Sequence, residues 1–315
     1  MDLLETLFSV TFIVTVIRTT TPLIFAVLGG LISDLSGALN IALEGMMLAA
    51  ALTCVIVSVY APWYVAVLAG VGMAASLGAA MGFFHLRWKA DFILVGFGIN
   101  ILAAGGTVFV LSLATGGDKG TSINLASKSI PAVHLDFLQA IPGIGDVLHR
   151  LLSGHSILTW FAGFCVFGVW YFLFRTPWGL WLRGVGEYPA APASAGINVI
   201  AVRWWALIAS GAFAGLGGVQ LAMFNFVGFT RDMTAGRGFI ALAAVFLGAR
   251  HPVGAMIAAL LFGVFEALAI VLPGHLPDVP GELIQTIPYI VTLIALVAFA
   301  ARATWITNRK RGKTT

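Results

Sequence analysis

Long apolar stretches, separated by short polar turns, run through almost the whole of this 315-residue chain. A helix that crosses the hydrocarbon core of a bilayer, about 30 Å thick, needs about 20 predominantly apolar residues. Nine stretches meet or approach that length, at 9–32, 38–59, 62–84, 92–113, 155–174, 204–224, 237–249, 253–272 and 286–303. The pattern predicts an all-α fold, a polytopic transmembrane helical bundle of about eight to ten spans, formed by a single domain over residues 1–315.

Two of these stretches depart from a simple span. Arg18 interrupts the first, and the run 19–22 that follows ends in a proline. Either residues 3–17 lie along the membrane interface as an amphipathic piece, or Arg18 snorkels from an oversized span; we favour the interfacial arrangement. The seventh stretch, 237–249, is short. Because Pro252 cannot continue a helix, this stretch is predicted to be a half-span that ends at the following turn.

Composition and charge agree with a lipid environment. Hydrophobic residues make up 60% of the chain and charged residues 10%, with a mean hydropathy of +1.00, whereas a soluble domain is about 25% charged. Cytoplasmic loops collect Lys and Arg. Placing the basic run 309–313 inside, against anionic headgroups, puts most loop cations inside. It leaves Lys119, Lys128, Arg150, Arg231 and Arg237 outside. This predicts a multi-pass protein of the bacterial plasma (inner) membrane with its C-terminus in the cytoplasm and its N-terminus outside, an external loop at 114–154 and a cytoplasmic loop at 175–203.

Motifs for soluble chemistry are incomplete in this sequence. The net charge of +4 does not indicate nucleic-acid binding, because the basic residues form no stripe with aromatic residues. Cys54 and Cys165 lie inside apolar stretches and lack the spacing of metal ligands. The run 312–314 resembles the end of a phosphate-binding loop, but Thr307 stands where the first glycine belongs. We therefore predict no catalytic residue, no cofactor and no metal site, so that any ATP hydrolysis belongs to a separate subunit.

Two carboxylates lie inside apolar stretches, where a charge is costly and is usually functional or paired. Glu44 comes four residues after Asn40, so a continuous helix would place both on one face. Glu266 lies within the eighth stretch. These groups face a polar pathway or a dimer axis, or they are purely structural, with Glu44 near the cytoplasmic end and either bonded to the backbone or protonated. The sequence leaves both interpretations open.

Small residues predict where helices touch one another. In lipid, close approach of backbones holds helices together, and small residues three or four positions apart permit it. Gly78 and Gly82 form one such pair, and Gly211 and Gly215 form another, which Gly217 and Gly218 extend.

The loop 183–199 has the features of a short helix between two spans. Pro189 suits a first helical turn, alanines favour a helix, and Gly196 supplies a stop signal. Its small side chains would let the groove of another protein approach closely, although a plain connecting loop has the same composition.

Three segments make the chain recognisable: Gly37–Met47, the loop 183–199, and Gly236–Gly248 with the following His251–Ala255. They resemble the branched-chain amino acid/ribose/nucleoside class of ABC-importer permeases. Within that class, the run 21–31 together with the run 40–47 is most similar to nucleoside (simple-sugar-type) permeases.

The resemblance implies a set of partners and a coupling element. In this family two permease subunits pair, as a homodimer or a heterodimer. Each presents a coupling helix to a cytoplasmic ABC ATPase subunit, and an external solute-binding protein delivers the solute. By motif, the coupling helix here would contain Gly186, Glu187, Ala190, Ala191, Ala195 and Gly196. Pro192 departs from the family, which usually has a polar or charged residue at that point.

The expected solute is a nucleoside, with a simple sugar or a branched-chain amino acid as the alternatives within the class. A nucleoside pathway needs aromatic groups for the base and amides for the ribose. By residue type and depth, the candidates are Asn40, Glu44, Phe97, Asn100, Phe224, Asn225 and Glu266. A different hypothesis is an ion-coupled secondary transporter that uses Glu44 and Glu266 as proton or ion sites.

Overall fold

The computed structural model describes residues 3–140, 145–275, 279–295 and 297. The α-helices in these residues are α1 (Leu3–Leu7), α2 (Val10–Leu35), α3 (Leu43–Tyr60), α4 (Trp63–Gly82), α5 (Phe92–Thr115), α6 (Gly145–Leu152), α7 (Ile157–Arg175), α8 (Pro177–Glu187), α9 (Ala190–Ser194), α10 (Val199–Gln220), α11 (Arg237–Leu247), α12 (Pro252–Val271) and α13 (Gly281–Gln285). Two π-helical turns, Phe83–Arg87 and Leu221–Asn225, extend α4 and α10. The chain also contains two 3-10 turns, Asp136–Ala140 and Leu272–Gly274, and a two-stranded antiparallel sheet of β1 (Ala132–Val133) and β2 (His155–Ser156).

Within the described part of the chain, seven helices are long and apolar enough to cross a membrane. They are Val10–Leu35, Leu43–Tyr60, Trp63–Arg87, Phe92–Thr115, Ile157–Arg175, Val199–Asn225 and Pro252–Gly274. Two shorter apolar helices, Arg237–Leu247 and Leu283–Ala295, occupy the seventh and ninth predicted stretches. The prediction of an all-α polytopic bundle is confirmed. The end of the ninth stretch, and the basic run 309–313, lie outside the described residues.

The first span is continuous through Arg18, so the interfacial placement of residues 3–17 is wrong: residues 10–17 belong to α2, and α1 is the separate piece. Pro22 lies inside α2 and cannot donate to the carbonyl of Arg18, four residues earlier. Asn225 Nδ2 donates to that carbonyl instead, at 3.0 Å. The Arg18 guanidinium reaches the carbonyl of Gly154, at 3.2 Å. The chain therefore forms an oversized span, with Arg18 inside the helix and its guanidinium bonded to the 114–154 loop.

The second span begins later than predicted. Residues 36–42 are not helical, and α3 starts at Leu43. Gly37, at φ +75°, turns the chain away from α2, and Asn40 Oδ1 accepts the N–H of Ala42 at 2.9 Å. A side chain that bonds its own backbone in this way competes with a helix. Asn40 thus precedes α3, and the expectation that it shares a helix face with Glu44 is wrong.

Helix α10 packs against α2, α3 and α4. A Cβ atom added to Gly211 would collide with the carbonyl oxygen of Ala74, and one added to Gly78 would collide with that of Leu207. Gly218 approaches the carbonyl of Met47 just as closely. Gly78, Gly211 and Gly218 therefore lie at helix crossings where backbone meets backbone, whereas Gly82 faces the ring of Trp204.

We expect Gly211→Ala and Gly218→Ala each to lower the free energy of unfolding by about 1–3 kcal/mol, because the added methyl group must push two helix backbones apart. Thermal unfolding of the detergent-purified protein measures the effect. Gly105→Ala on α5 is the matched control, since a Cβ atom added there would have nothing within 4 Å of it, and it should be neutral or slightly stabilising. Equal melting temperatures for all three variants would contradict the packing described here.

Candidate functional site

The carboxylate of Glu44 holds the start of α11. Its Oε1 accepts the N–H of Gly236 at 2.7 Å, and its Oε2 accepts the N–H of Gly238 at 2.6 Å. The first N–H groups of a helix have no partner inside the helix, and a negative charge there is further favoured by the helix dipole. Glu44 therefore has the structural, backbone-bonded role that the sequence left open, and it joins the first turn of α3 to the first turn of α11.

The two asparagines near Glu44 fix the non-helical segment 36–42 and the start of α3. Asn100 Oδ1 accepts the N–H of Gly45 at 2.8 Å, and its Nδ2 donates to the carbonyl of Ile41 at 3.0 Å. Asn40 is fully buried, and its Nδ2 donates to Ser210 Oγ at 2.9 Å. Both amides are thus engaged with the protein itself rather than turned toward an open pathway.

Glu266 forms an ion pair with Arg237, the first residue of α11. The distance from Arg237 Nε to Glu266 Oε1 is 2.7 Å, and the two side chains are 13% and 10% exposed. Arg237 Nη1 also donates to the carbonyl of Met233 at 3.0 Å. Tyr289 donates its hydroxyl hydrogen to the carbonyl of Ala235, in the same turn. Arg237 therefore lies inside the bundle, and its assignment to an outer loop from the distribution of basic residues is wrong.

Glu44 and Glu266 consequently meet at the start of α11, deep within the bundle. Helix α11 rises about 16 Å over its length at about 1.5 Å per residue. Its far end lies beside the ion pair of Arg250 and Asp34 at the last turn of α2, where Nε and Oδ2 are 2.8 Å apart. The start of α11 is therefore about halfway into a hydrocarbon core about 30 Å thick. The predicted half-span is thus a helix that begins inside the membrane.

Phe224 and Asn225 belong to a second group, at the end of the bundle that carries the 114–154 loop. The Arg18 guanidinium lies over the Phe224 ring, 5.6 Å from its centroid. Nearby His155 is 2% exposed, and burial lowers the pKa of its ring, which is bonded through Nε2 to the carbonyl of Leu151 at 2.8 Å. Phe97 stands apart from both groups, 47% exposed on α5. The seven pathway candidates therefore do not form one site.

The 175–203 loop folds as two helices rather than one. Gly186 and Glu187 end α8, whereas Ala190 and Ala191 begin α9. Glu187, Ala190, Ala191, Ala195 and Gly196 are exposed, and Gly196, at φ +81°, ends the segment. Pro192, the residue that departs from the family, is buried on the other side of α9. The short helix predicted from Pro189 and Gly196 is present, but it spans only residues 190–194.

Helix α8 is in direct backbone contact with the segment that leads to Glu44. A Cβ atom on Gly186 would collide with the carbonyl of Leu35 and would lie 2.9 Å from the N atom of Gly37. Arg203 Nε donates to the carbonyl of Ser36 at 3.2 Å. The 175–203 loop thus contacts the turn between α2 and α3 through Gly186 and Arg203.

The sequence did not single out the turn 233–238 as a site, although two of its glycines and Arg237 were part of a recognisable motif. The available signal was an arginine next to two glycines at the start of a half-span, with glutamates in two other apolar stretches. A cation inside a membrane protein requires such a partner.

The Arg237–Glu266 pair allows a test of its energetics. We expect Arg237→Met or Glu266→Met alone to lower the free energy of unfolding by about 3–5 kcal/mol, because each leaves a buried charge unpaired. The double variant should recover at least half of that loss in thermal unfolding. Strictly additive losses in the double variant would show that the two groups are not coupled.

Comparison with known proteins places the chain among membrane permeases. Residues 12–296 match the family described as "Branched-chain amino acid transport system / permease component". The chain is 36% identical to the guanosine ABC transporter permease protein NupQ of Bacillus subtilis, over 90% of this chain and 89% of that protein. It is 34% identical to the nucleoside ABC transporter permease protein NupC of Lactococcus lactis, over 90% of each. It is 30% identical to the putative glucose ABC transporter permease protein TsgC13 of Haloferax volcanii, over 80% of this chain and 74% of that protein. No solved structure matches the chain at a significant level.

Proposed function

Because the chain belongs to the branched-chain amino acid transport system permease family, we propose that it is the transmembrane subunit of an ATP-driven importer for nucleosides. The observation that carries this proposal is the exposed, alanine-rich α9, which α8 joins rigidly to the membrane-embedded segment 36–42. The names of NupQ and NupC, a guanosine and a nucleoside transporter permease, favour a nucleoside as the solute. The name of TsgC13, a putative glucose transporter permease, makes a simple sugar the second candidate for the solute.

In this proposal α9 is the surface that receives an ATPase subunit. Ala190, Ala191 and Ala195 present small side chains, so a groove on a partner can approach the backbone, while Pro192 anchors α9 against Gly184. The 175–203 loop then lies in the cytoplasm, the C-terminus is on the same side, and the 114–154 loop faces a solute-binding protein outside. ATP hydrolysis resides in the ABC ATPase subunits, and a second permease subunit, identical or related, completes the pathway.

The contacts supply a route for coupling. Movement of α9 and α8 passes through Gly186 to the backbone at Leu35 and Gly37. The segment 36–42 leads into α3, whose Glu44 holds the start of α11. The far end of α11 is tied to α2 by Arg250 and Asp34. Rigid displacement of these elements would open the pathway to one side and then to the other.

We expect Ala191→Trp to reduce assembly with the ATPase subunits and solute-stimulated ATP hydrolysis by roughly ten-fold or more, because a bulky residue in a close-packed interface core costs more than about 1.4 kcal/mol. Co-purification of the ATPase and ATP turnover in proteoliposomes measure both effects. Ala126→Trp, at an exposed alanine of the 114–154 loop, is the control and should leave ATPase co-purification unchanged. Full assembly of the Ala191 variant would count against α9 as the coupling surface.

We expect the transporter, reconstituted with its ATPase and second permease subunits and with its binding protein, to take up labelled guanosine when ATP is enclosed with the ATPase. Excess adenosine or uridine should compete, whereas ribose or leucine should not. Competition by ribose alone would move the assignment to simple sugars. Uptake that persists without ATP and collapses with the proton gradient would instead support a secondary transporter. The fixed bonds of Glu44 and Glu266 argue against that mechanism, because protonating either one breaks a contact that holds α11.

A further inference from the structure

The turn before α11 connects the 114–154 loop with the start of α11, because the N–H of Arg231 donates to the carbonyl of Gly120 at 2.7 Å and the N–H of Gly236 donates to Glu44 Oε1 at 2.7 Å. Residues 231–236 form successive turns, and Asp232 and Ala235 are exposed. Phe239, in the first turn of α11, is 42% exposed. Non-helical backbone within the hydrocarbon region is tolerated only where it is covered by protein or lines a water-filled cavity. This surface therefore faces water or another subunit.

Polar atoms without partners lie under the same turn. Thr234 is fully buried and Glu266 is 8% exposed. Among the described residues, Thr234 Oγ1 and Glu266 Oε2 have no hydrogen-bond partner. Buried polar groups are nearly always paired, with protein or with a bound molecule. One hydroxyl and one free carboxylate oxygen are complementary to water or to the hydroxyl groups of a solute.

The charges around the turn are compensated. The start of a helix is a ready site for an anion, but Glu44 already occupies the N–H groups of Gly236 and Gly238. The cation that follows, Arg237, is paired with Glu266. On the exposed part of the turn, Arg231 and Asp232 carry opposite charges. A solute at this place meets polar groups without a net positive field.

We propose that the turn 231–236 and the first turn of α11 form a wall of the aqueous pathway that contacts the solute. Because the Glu44 carboxylate occupies the N–H groups at the start of α11, this wall has no anion site and accepts an uncharged, hydroxylated solute. This proposal rests on the proposed function, since it assumes a pathway, and it narrows the solute to neutral molecules such as nucleosides or sugars as opposed to phosphorylated ones.

Thiol accessibility tests the wall in the assembled transporter, in nanodiscs, with Cys54 and Cys165 replaced by alanine. Ala235→Cys and Phe239→Cys are compared with Phe167→Cys, whose aromatic side chain is 64% exposed on α7 at a similar depth, about 12 Å from the end of that helix. Water-soluble methanethiosulfonate reagents should modify the first two variants at least roughly ten-fold faster than the third, because only a hydrated thiol ionises and reacts. Rates no faster than that of Phe167→Cys would overturn the proposal.

The role of Glu44 is tested with the same reagents. In the Ala235→Cys variant, adding Glu44→Gln should raise roughly five-fold the ratio of the modification rate with an anionic reagent to the rate with a cationic reagent. Removing one negative charge about 8 Å away in water has an effect of this size. An unchanged ratio would overturn the charge-compensation part of the proposal. Protection by guanosine would support both the wall and the proposed solute. Fast modification in a transporter that does not carry guanosine would support the wall while contradicting the nucleoside assignment.

Discussion

A helix that starts inside a bilayer needs acceptors for its first backbone N–H groups, and lipid offers none. Glu44 supplies two of them to α11 from the first turn of the neighbouring helix α3. That helix is itself held by Asn100, which bonds to Gly45 and Ile41. The two membrane-embedded helix starts are therefore fixed by one carboxylate and one amide, and the position of each depends on the other.

Close backbone contact gives this arrangement its stiffness. Lipid provides no hydrophobic force between helices, so dispersion over short distances has to hold the bundle together. Gly211, Gly218 and Gly78 allow α10 to touch its neighbours without intervening side chains. Gly186 does the same between α8 and the turn after α2. In the proposed coupling route, a displacement of α8 would be transmitted through this backbone contact, with little side-chain freedom to absorb it.

Hydropathy located the apolar helices well, because it reports the transfer free energy that places a helix in lipid. It failed where a few polar atoms decide the local fold. Asn40 ends the helical pattern by bonding to Ala42, a contact that a window of about 20 residues averages away. Pro22 and Arg18 read as an interruption, because the compensating donor, Asn225, is 207 residues distant in the chain. Counting Lys and Arg in the loops likewise could not reveal that Arg237 pairs with Glu266 inside the bundle.

The bonding of Glu44 and Glu266 bears on which source of energy can drive transport. A carboxylate that carries a proton or ion across a membrane must exchange partners during each cycle. In the described part of the chain, Glu44 is bonded to two backbone N–H groups and Glu266 to a buried guanidinium, so either exchange would also release the start of α11. Charges used in this way stabilise the start of α11. In the function proposed above, the driving force enters from another subunit, and the exposed α9, attached through α8, is the surface on which it acts.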